Sequence, residues 1–341
     1  FLVKDQARFE AIGLWPADLP QFLNGYTRGR EFWLYNQSSE YYRRHLMLHE
    51  GVHGIMFSLQ RSSGPAWYME GVAELLATHR WSGGKLTLPH FPATAAEVPK
   101  LGRIEILQTQ FKAGHALYLR DVLALENRQY LENEPYAWSW AAAAFLFGHP
   151  AYRDRFGLLL KERARGDLND RLKQIYSDDA RQLGEEWQVF VGELAHGYDF
   201  ERTRLDFAPA KTTPELNKPV KLSIAADRGW QNTGVRLEAG KRYKLTAGGR
   251  YTLARVPKPW TSEPGGVTIR YHRGLPLGIL LAVVRPEEGP AGPSPFFNPQ
   301  AIGLGAAIEP RLTGALYLRI NDFAGELADN AGAAEVTVTV E

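Results

Sequence analysis

The hydrophobic pattern changes character near residue 208. Before it, apolar positions recur at helical spacing. Leu48, Val52, Ile55 and Leu59 fall at steps of three and four, and Leu46, Met47, Met56 and Phe57 fill most of the remaining circumference. Residues so spaced share a helix face. The segment therefore reads as a helix apolar nearly all round, which is expected to be buried. Ser63-Gly64-Pro65 breaks it, and Pro65 suits a first helical turn, so Ala66 to His79 predicts a second helix. Upstream, Glu31-Phe32-Trp33-Leu34-Tyr35-Asn36 reads as a strand, expected to be a sheet edge that an extended peptide could join. Arg80 to Gly102 is rich in Gly, Pro and Thr and reads as an excursion with a hairpin at Ser82-Gly83-Gly84. Ala137 to Phe147 is helix-like, and Leu183, Trp187, Phe190 and Leu194 give a clean helical stripe that closes this part.

A polar, proline-containing stretch follows, and then the period changes to two. Tyr243, Leu245 and Ala247, then Leu316, Leu318 and Ile320, then Val336, Val338 and Val340 alternate between turn residues, as in a β-sandwich. The expected fold class is multidomain α+β. A mainly helical domain covers 1–207, a linker 208–217, and an antiparallel β-sandwich 218–341. No internal repeat shows at periods of about 20–50 residues.

Composition alters this picture little. A hydrophobic share of 44% and a charged share of 23% are ordinary for folded chains, and 341 residues suit two domains. A net charge of +2 offers no strong field for nucleic acid or anionic membranes. The basic cluster Lys161-Glu162-Arg163-Ala164-Arg165 reads as a solvated helix face. No apolar run is long enough to cross a bilayer. Cysteine is absent, so disulfides play no part.

The chemistry is concentrated in two short motifs. His49-Glu50-Gly51-Val52-His53 puts two imidazoles one helical turn apart on one face, within reach of a single ion. Glu50 then points to the open side of that ion. With nine histidines in the chain, this pattern arises by chance in roughly one or two sequences in a hundred. Glu70 and Glu74 in Met69-Glu70-Gly71-Val72-Ala73-Glu74 share a helix face. One can bind the metal while the other accepts the second ring N–H of a ligand histidine. His45 extends the same face by one turn and is expected to be a partly exposed helix residue.

The pair H-E-x-x-H and W-x-x-E-G-x-A-E, headed by Trp67, resembles the gluzincins, and among them the peptidase MA-like proteins. The resemblance, over roughly residues 25–200, implies a thermolysin-like catalytic domain. It implies His49, His53 and Glu70 as zinc ligands, Glu50 as general base and Glu74 as support for a ligand histidine. Tyr136, opening the next helix, would lie near the metal as an oxyanion stabiliser; a tyrosine that merely caps a packed helix is the alternative. The metzincin continuation needs Gly at 56 and His at 59, where this chain has Met56 and Leu59. The G-A-M-E-N signature of gluzincin aminopeptidases is absent.

The second domain carries a resemblance of its own. Trp230-Gln231-Asn232-Thr233-Gly234-Val235, Glu238-Ala239-Gly240-Lys241-Arg242, Leu318-Arg319-Ile320-Asn321-Asp322 and Asp329-Asn330-Ala331-Gly332 are similar to the galactophilic bacterial lectins. That likeness implies a calcium site from Asp322, Asp329 and Asn330 with backbone oxygens near Glu326 and Thr252, and a glycan ligand. A turn rich in Asp and Asn that binds nothing is the alternative. The expected protein is a zinc metallopeptidase acting on a peptide or glycoprotein substrate, with export beyond the cytoplasm or to the periplasm implied by family. A carbohydrate-binding or adhesion protein with a non-catalytic gluzincin domain is the competing reading.

Overall fold

A computed structural model describes residues 1–60, 64–161, 167–288 and 292–341. The chain divides into two compact units, Phe1–Ala180 and Arg181–Glu341. Glu162 to Arg165 of the basic cluster and Ser63 of the breaker lie outside the described residues, as does the side chain of Leu59.

The first unit opens with β1 (Leu2–Val3), α1 (Gln6–Ala11), β2 (Gly25–Arg28) and β3 (Glu31–Tyr35). The long α2 (Glu40–Gln60) and α3 (Ala66–Ala77) follow, then the hairpin β4 (Arg80–Ser82) and β5 (Lys85–Thr87). Gly83 and Gly84, both at positive φ, form its two-residue turn. The unit continues with α4 (Arg103–Lys112), α5 (Leu119–Leu123), α6 (Asn133–Gly148), α7 (Arg153–Lys161) and α8 (Leu168–Ile175). Its sheet has the order β1-β3-β2, with β3 parallel to β1 and antiparallel to β2. The segment expected to be a sheet edge is therefore the central strand. Trp33 and Leu34 explain this: both are buried, and a strand so apolar is covered rather than left open. The edge beside α2 belongs to β2.

The packing of α2 corrects a second expectation. Met47, Ile55 and Phe57 are exposed, while His45, Leu46, His49, Glu50, His53 and Met56 are buried. The helix packs against α3 and against β2 and β3, and the face it offers them carries the polar chemistry. Of the apolar stripe read from periodicity, Leu48 and Val52 are half-buried and Ile55 is exposed. Between α3 and α6 the approach is closer than a side chain allows: a Cβ on Gly71 would stand 2.4 Å from the Ser139 carbonyl oxygen. Glycine at that position lets α3 lie against a helix that is buried along most of its length.

The second unit takes in α9 (Ala180–Glu193), α10 (Phe200–Thr203) and eleven strands. These are β6 (Val220–Ala225), β7 (Gln231–Leu237), β8 (Tyr243–Gly248), β9 (Tyr251–Ala254), β10 (Trp260–Ser262), β11 (Gly265–His272), β12 (Leu275–Pro286), β13 (Gln300–Ala301), β14 (Gly305–Ile308), β15 (Gly314–Ile320) and β16 (Ala331–Val340). One antiparallel sheet runs β10-β9-β16-β8-β14 with β6 also on β16; the other runs β11-β12-β15-β7 with β13 on β12. They share one apolar core in which Leu245, Val336 and Val338 of the first meet Leu280, Leu316, Leu318 and Ile320 of the second. Every residue of β15 is buried. Its outward-facing Ala315 and Tyr317 are covered by Val189 of α9, Trp230 and Phe296. That packing assigns α9 to this unit, ahead of the proline-containing segment 208–217. The segment itself is pinned: Thr212 bridges Val235, and Asn232 donates to the carbonyls of Asp206 and Ala208.

Candidate metal centre

His45, His49 and His53 recur every four residues on the buried face of α2, and Glu70 and Glu74 present one face of α3. Among the described residues, two groups of histidines and acids converge closely enough to hold a metal, and both lie on these two helices.

The first group is His49, His53 and Glu70. His49 Nε2 lies 3.0 Å from His53 Nε2. Glu70 Oε2 lies 3.2 Å from His49 Nε2 and 3.4 Å from His53 Nε2. A tetrahedral zinc ion with bonds of about 2.0–2.1 Å separates its ligand atoms by about 3.3–3.4 Å. The edges of 3.0–3.4 Å come close to that spacing, the histidine pair being the shortest, and the atoms are of the kinds zinc takes, so the residues present fit the ion. The cluster also calls for positive charge. Burial alone would push Glu70 up, but hydrogen bonds from His49 and His53 hold it down at about 2. Burial would lower His49, yet Glu70 and Glu74 raise it to about 10. Two carboxylates thus compete for whatever cation sits at the imidazoles.

The second group is His45, His49 and Glu74. Glu74 is 3% exposed. Its Oε1 lies 3.2 Å from His49 Nδ1 and accepts from Arg103 NH2 at 3.0 Å; its Oε2 accepts from Arg103 Nε at 2.9 Å and lies 3.3 Å from His45 Nε2. Arg103 thus bonds both carboxylate oxygens, while the two histidine nitrogens lie close without meeting hydrogen-bond geometry. The Arg103 guanidinium on both oxygens disfavours a metal in this group. His45, expected to be partly exposed, is fully buried, and burial pushes its pKa down despite Glu74. Both of its ring nitrogens are buried without a hydrogen-bond partner, with Glu74 Oε2 3.3 Å from Nε2.

Glu50 is buried beside these residues. Thr27 Oγ1 of β2 donates to Glu50 Oε2 at 2.7 Å, and a Cβ on Gly25 of the same strand would meet Glu50 Oε1 at 2.6 Å. The strand that positions this carboxylate is therefore the sheet edge. Tyr136 falls in the first turn of α6, with its ring centre 6.2 Å from that of His49 and 5.5 Å from Arg103 Cζ. Burial, helped by Glu70 and Glu74, pushes its phenol up, so the hydroxyl stays protonated and able to donate.

Sequence reasoning missed Arg103, Thr27 and Gly25. Arg103 opens α4, far from Glu74 in sequence, and a lone arginine carries no local signature. Gly25 and Thr27 sit on a short strand whose pairing partner is nonlocal.

In the second unit, the Asp322 carboxylate is buried. Its Oδ1 accepts from the Phe323 N–H at 2.7 Å and its Oδ2 from Asn330 Nδ2 at 2.8 Å. Burial pushes its pKa up against these bonds. Asn330 Oδ1 is buried without a partner. Asp329 Oδ2 instead accepts from the Arg255 backbone N–H at 3.2 Å, and Glu326 is held bidentately by Arg270. The structure thus brings Asp322 and Asn330 together, while the Asp329 and Glu326 side chains bond elsewhere.

Neither a protein-family model nor a curated protein sequence matches the chain. Solved structures give loose likenesses, lectin-like and metallopeptidase-like. One is the EclA N-terminal domain, a PllA-like lectin, at 24% identity and a TM-score of 0.27, covering 36% of this chain and 95% of that one. A second is PliG, a periplasmic inhibitor of g-type lysozyme from Aeromonas hydrophila, at 9% identity and a TM-score of 0.22, covering 41% of this chain and 99% of that one. A third is the IMPa metallopeptidase in complex with T-antigen, at 14% identity and a TM-score of 0.21, covering 78% of this chain but only 26% of that protein. Likeness at this level identifies no activity. The chain is a mixed α+β protein, and among the described residues no helix is long and apolar enough to cross a membrane.

Proposed function

We propose that the chain is a zinc-dependent peptide hydrolase of gluzincin type. The observation that carries this reading is the triangle of His49 Nε2, His53 Nε2 and Glu70 Oε2, with edges of 3.0–3.4 Å, beside an independently held carboxylate. Those three residues would hold zinc, which when bound supplies a Lewis acid that polarises a carbonyl and acidifies water. Glu70 rather than Glu74 is the third ligand, because the Arg103 guanidinium already bonds both oxygens of Glu74. Glu50 takes a proton from the attacking water and returns it to the leaving amine. Thr27 limits the rotamers from which it can do so. Tyr136 donates its hydroxyl to the oxyanion. An extended substrate would pair with the free edge of β2, which brings its backbone next to Glu50.

In the second unit, we propose that Asp322 and Asn330 contribute to a calcium site. A buried carboxylate and an unpartnered amide oxygen are hard oxygen donors of the kind calcium takes. Titration with calcium should raise the melting temperature of the wild type and leave Asp322→Ala unmoved. No shift in the wild type would sink the calcium assignment.

The hydrolase reading is tested by metal analysis together with cleavage profiling on a peptide library, for wild type and Glu50→Gln. One zinc per chain in both proteins, with cleavage by the wild type alone, is the expected result. Zinc in both with cleavage by neither would favour a binding protein with a non-catalytic metal.

A further inference from the structure

Glu70 and Glu74 stand one turn apart on the same helix, and both touch His49, at opposite ring nitrogens. Helix spacing alone does not distinguish them. What differs is Arg103, buried and bonded through Nε and NH2 to the two oxygens of Glu74. We propose, on the zinc reading above, that Arg103 is a positioning residue for the metal centre: by clamping Glu74 it fixes the His49 tautomer that leaves Nε2 free to bind.

A neutral imidazole has one N–H and one lone pair, and the hydrogen bond made by one nitrogen decides which is which. Glu74 Oε1 faces His49 Nδ1 at 3.2 Å. The two atoms are close without meeting hydrogen-bond geometry, but an ionised carboxylate only accepts, so at that distance it favours the tautomer with the hydrogen on Nδ1 and the lone pair on Nε2. Keeping Glu74 ionised and correctly turned at 3% exposure requires a fixed counter-charge. Arg103 meets that need with two parallel N–H bonds, a geometry lysine cannot reproduce. The same guanidinium disfavours a cation between His45, His49 and Glu74, so that the ion is directed to the Glu70 side. Its Cζ lies 5.5 Å from the centre of the Tyr136 ring, which ties the proposed oxyanion donor to the same anchor. Arg103 thus acts at a distance on the site and touches no reacting atom.

The test is a double-mutant cycle read by zinc affinity rather than by turnover. Zinc dissociation constants are measured by competition with a chromophoric chelator for wild type, Arg103→Met, Glu74→Gln and the double variant, with folding checked by circular dichroism. Arg103→Met is expected to weaken zinc binding about 10- to 100-fold, the usual effect of losing an outer-shell partner of a metal ligand. Because Arg103 acts through Glu74, adding Arg103→Met to Glu74→Gln should change affinity by no more than about twofold. A folded Arg103→Met with wild-type affinity overturns the proposal. So does an effect of full size in the Glu74→Gln background, which marks a merely structural role. Should Arg103→Met fail to fold, Arg103→Lys is read instead: an intermediate loss of affinity supports the proposal, and none refutes it. Wild-type protein that takes up no zinc overturns the hydrolase reading, and this inference with it.

Discussion

Gly25 offers a way to move the proposed base without touching the proposed ligands. In Gly25→Ala the new Cβ would lie 2.6 Å from Glu50 Oε1, 3.1 Å from Glu50 Cγ and 3.0 Å from Leu34 Cδ2. Ordinary contact begins at 3.4 Å, so the carboxylate must retreat by about 0.8 Å, which a side-chain tip can do cheaply. The fold should therefore lose no more than about 1 kcal/mol, at the low end of overpacking costs. Catalysis should suffer far more, since a displacement near 1 Å costs about 100-fold in rate, or about 2.7 kcal/mol of barrier. The three atoms nearest that Cβ belong to Glu50 and Leu34 and to none of the proposed ligands, so zinc content and affinity should hold. The assay is kcat on a peptide found by library cleavage, with zinc content and melting temperature measured on the same preparation. Unchanged kcat would refute the placement of Glu50 as base. A fall explained entirely by lost zinc would refute the claim that base and ligands are separately held.

Tyr136→Phe should keep zinc and fold while lowering kcat by about 100-fold or more, the typical cost of an oxyanion donor; a drop below threefold would leave Tyr136 as a packing residue. In the second unit, Glu193 is buried, accepts from Arg319 and Arg273, and lies within hydrogen-bond distance of His272. Glu193→Gln should cost about 3 kcal/mol in denaturant unfolding, because it strands cationic side chains; a cost under 1 kcal/mol would contradict this. Burial alone would raise the Glu193 pKa, but Arg319, then His272 and Arg273, bring it well below the usual carboxylate range. Its contribution to stability is accordingly present above the unfolded value near about 4.3 and is lost as pH falls towards the folded one. The wild type should destabilise over that acid range more steeply than Glu193→Gln, as followed by unfolding curves at stepped pH.

The candidate centre was legible in sequence where helix geometry alone fixes proximity. Steps of four on α2 and α3 put His49 beside His53 and Glu70 beside Glu74, whatever the rest of the chain does. The β-rich second unit was legible because period two shows locally, as the inward Leu316, Leu318 and Ile320 of β15 do. Burial was less so. Met47, Ile55 and Phe57 suggested a helix sunk on all sides, yet the buried face is the one bearing histidines, because β2, β3 and α3 pack there. Partners across long sequence distances were invisible: β1 on β3, Thr27 on Glu50, Arg103 on Glu74. The calcium reading shows the same limit, for loop residues adjacent in sequence, Asp329 and Asn330, turn to different partners.

A catalytic zinc held by His49, His53 and Glu70, with Glu50 as base, should show in one paired measurement. Zinc stoichiometry and peptide cleavage are determined together for wild type and Glu50→Gln. One zinc per chain is expected in both, with cleavage by the wild type only and the variant reduced by about 100- to 10,000-fold. A wild type that binds no zinc, or a Glu50→Gln variant that cleaves as fast as the wild type, would contradict this assignment.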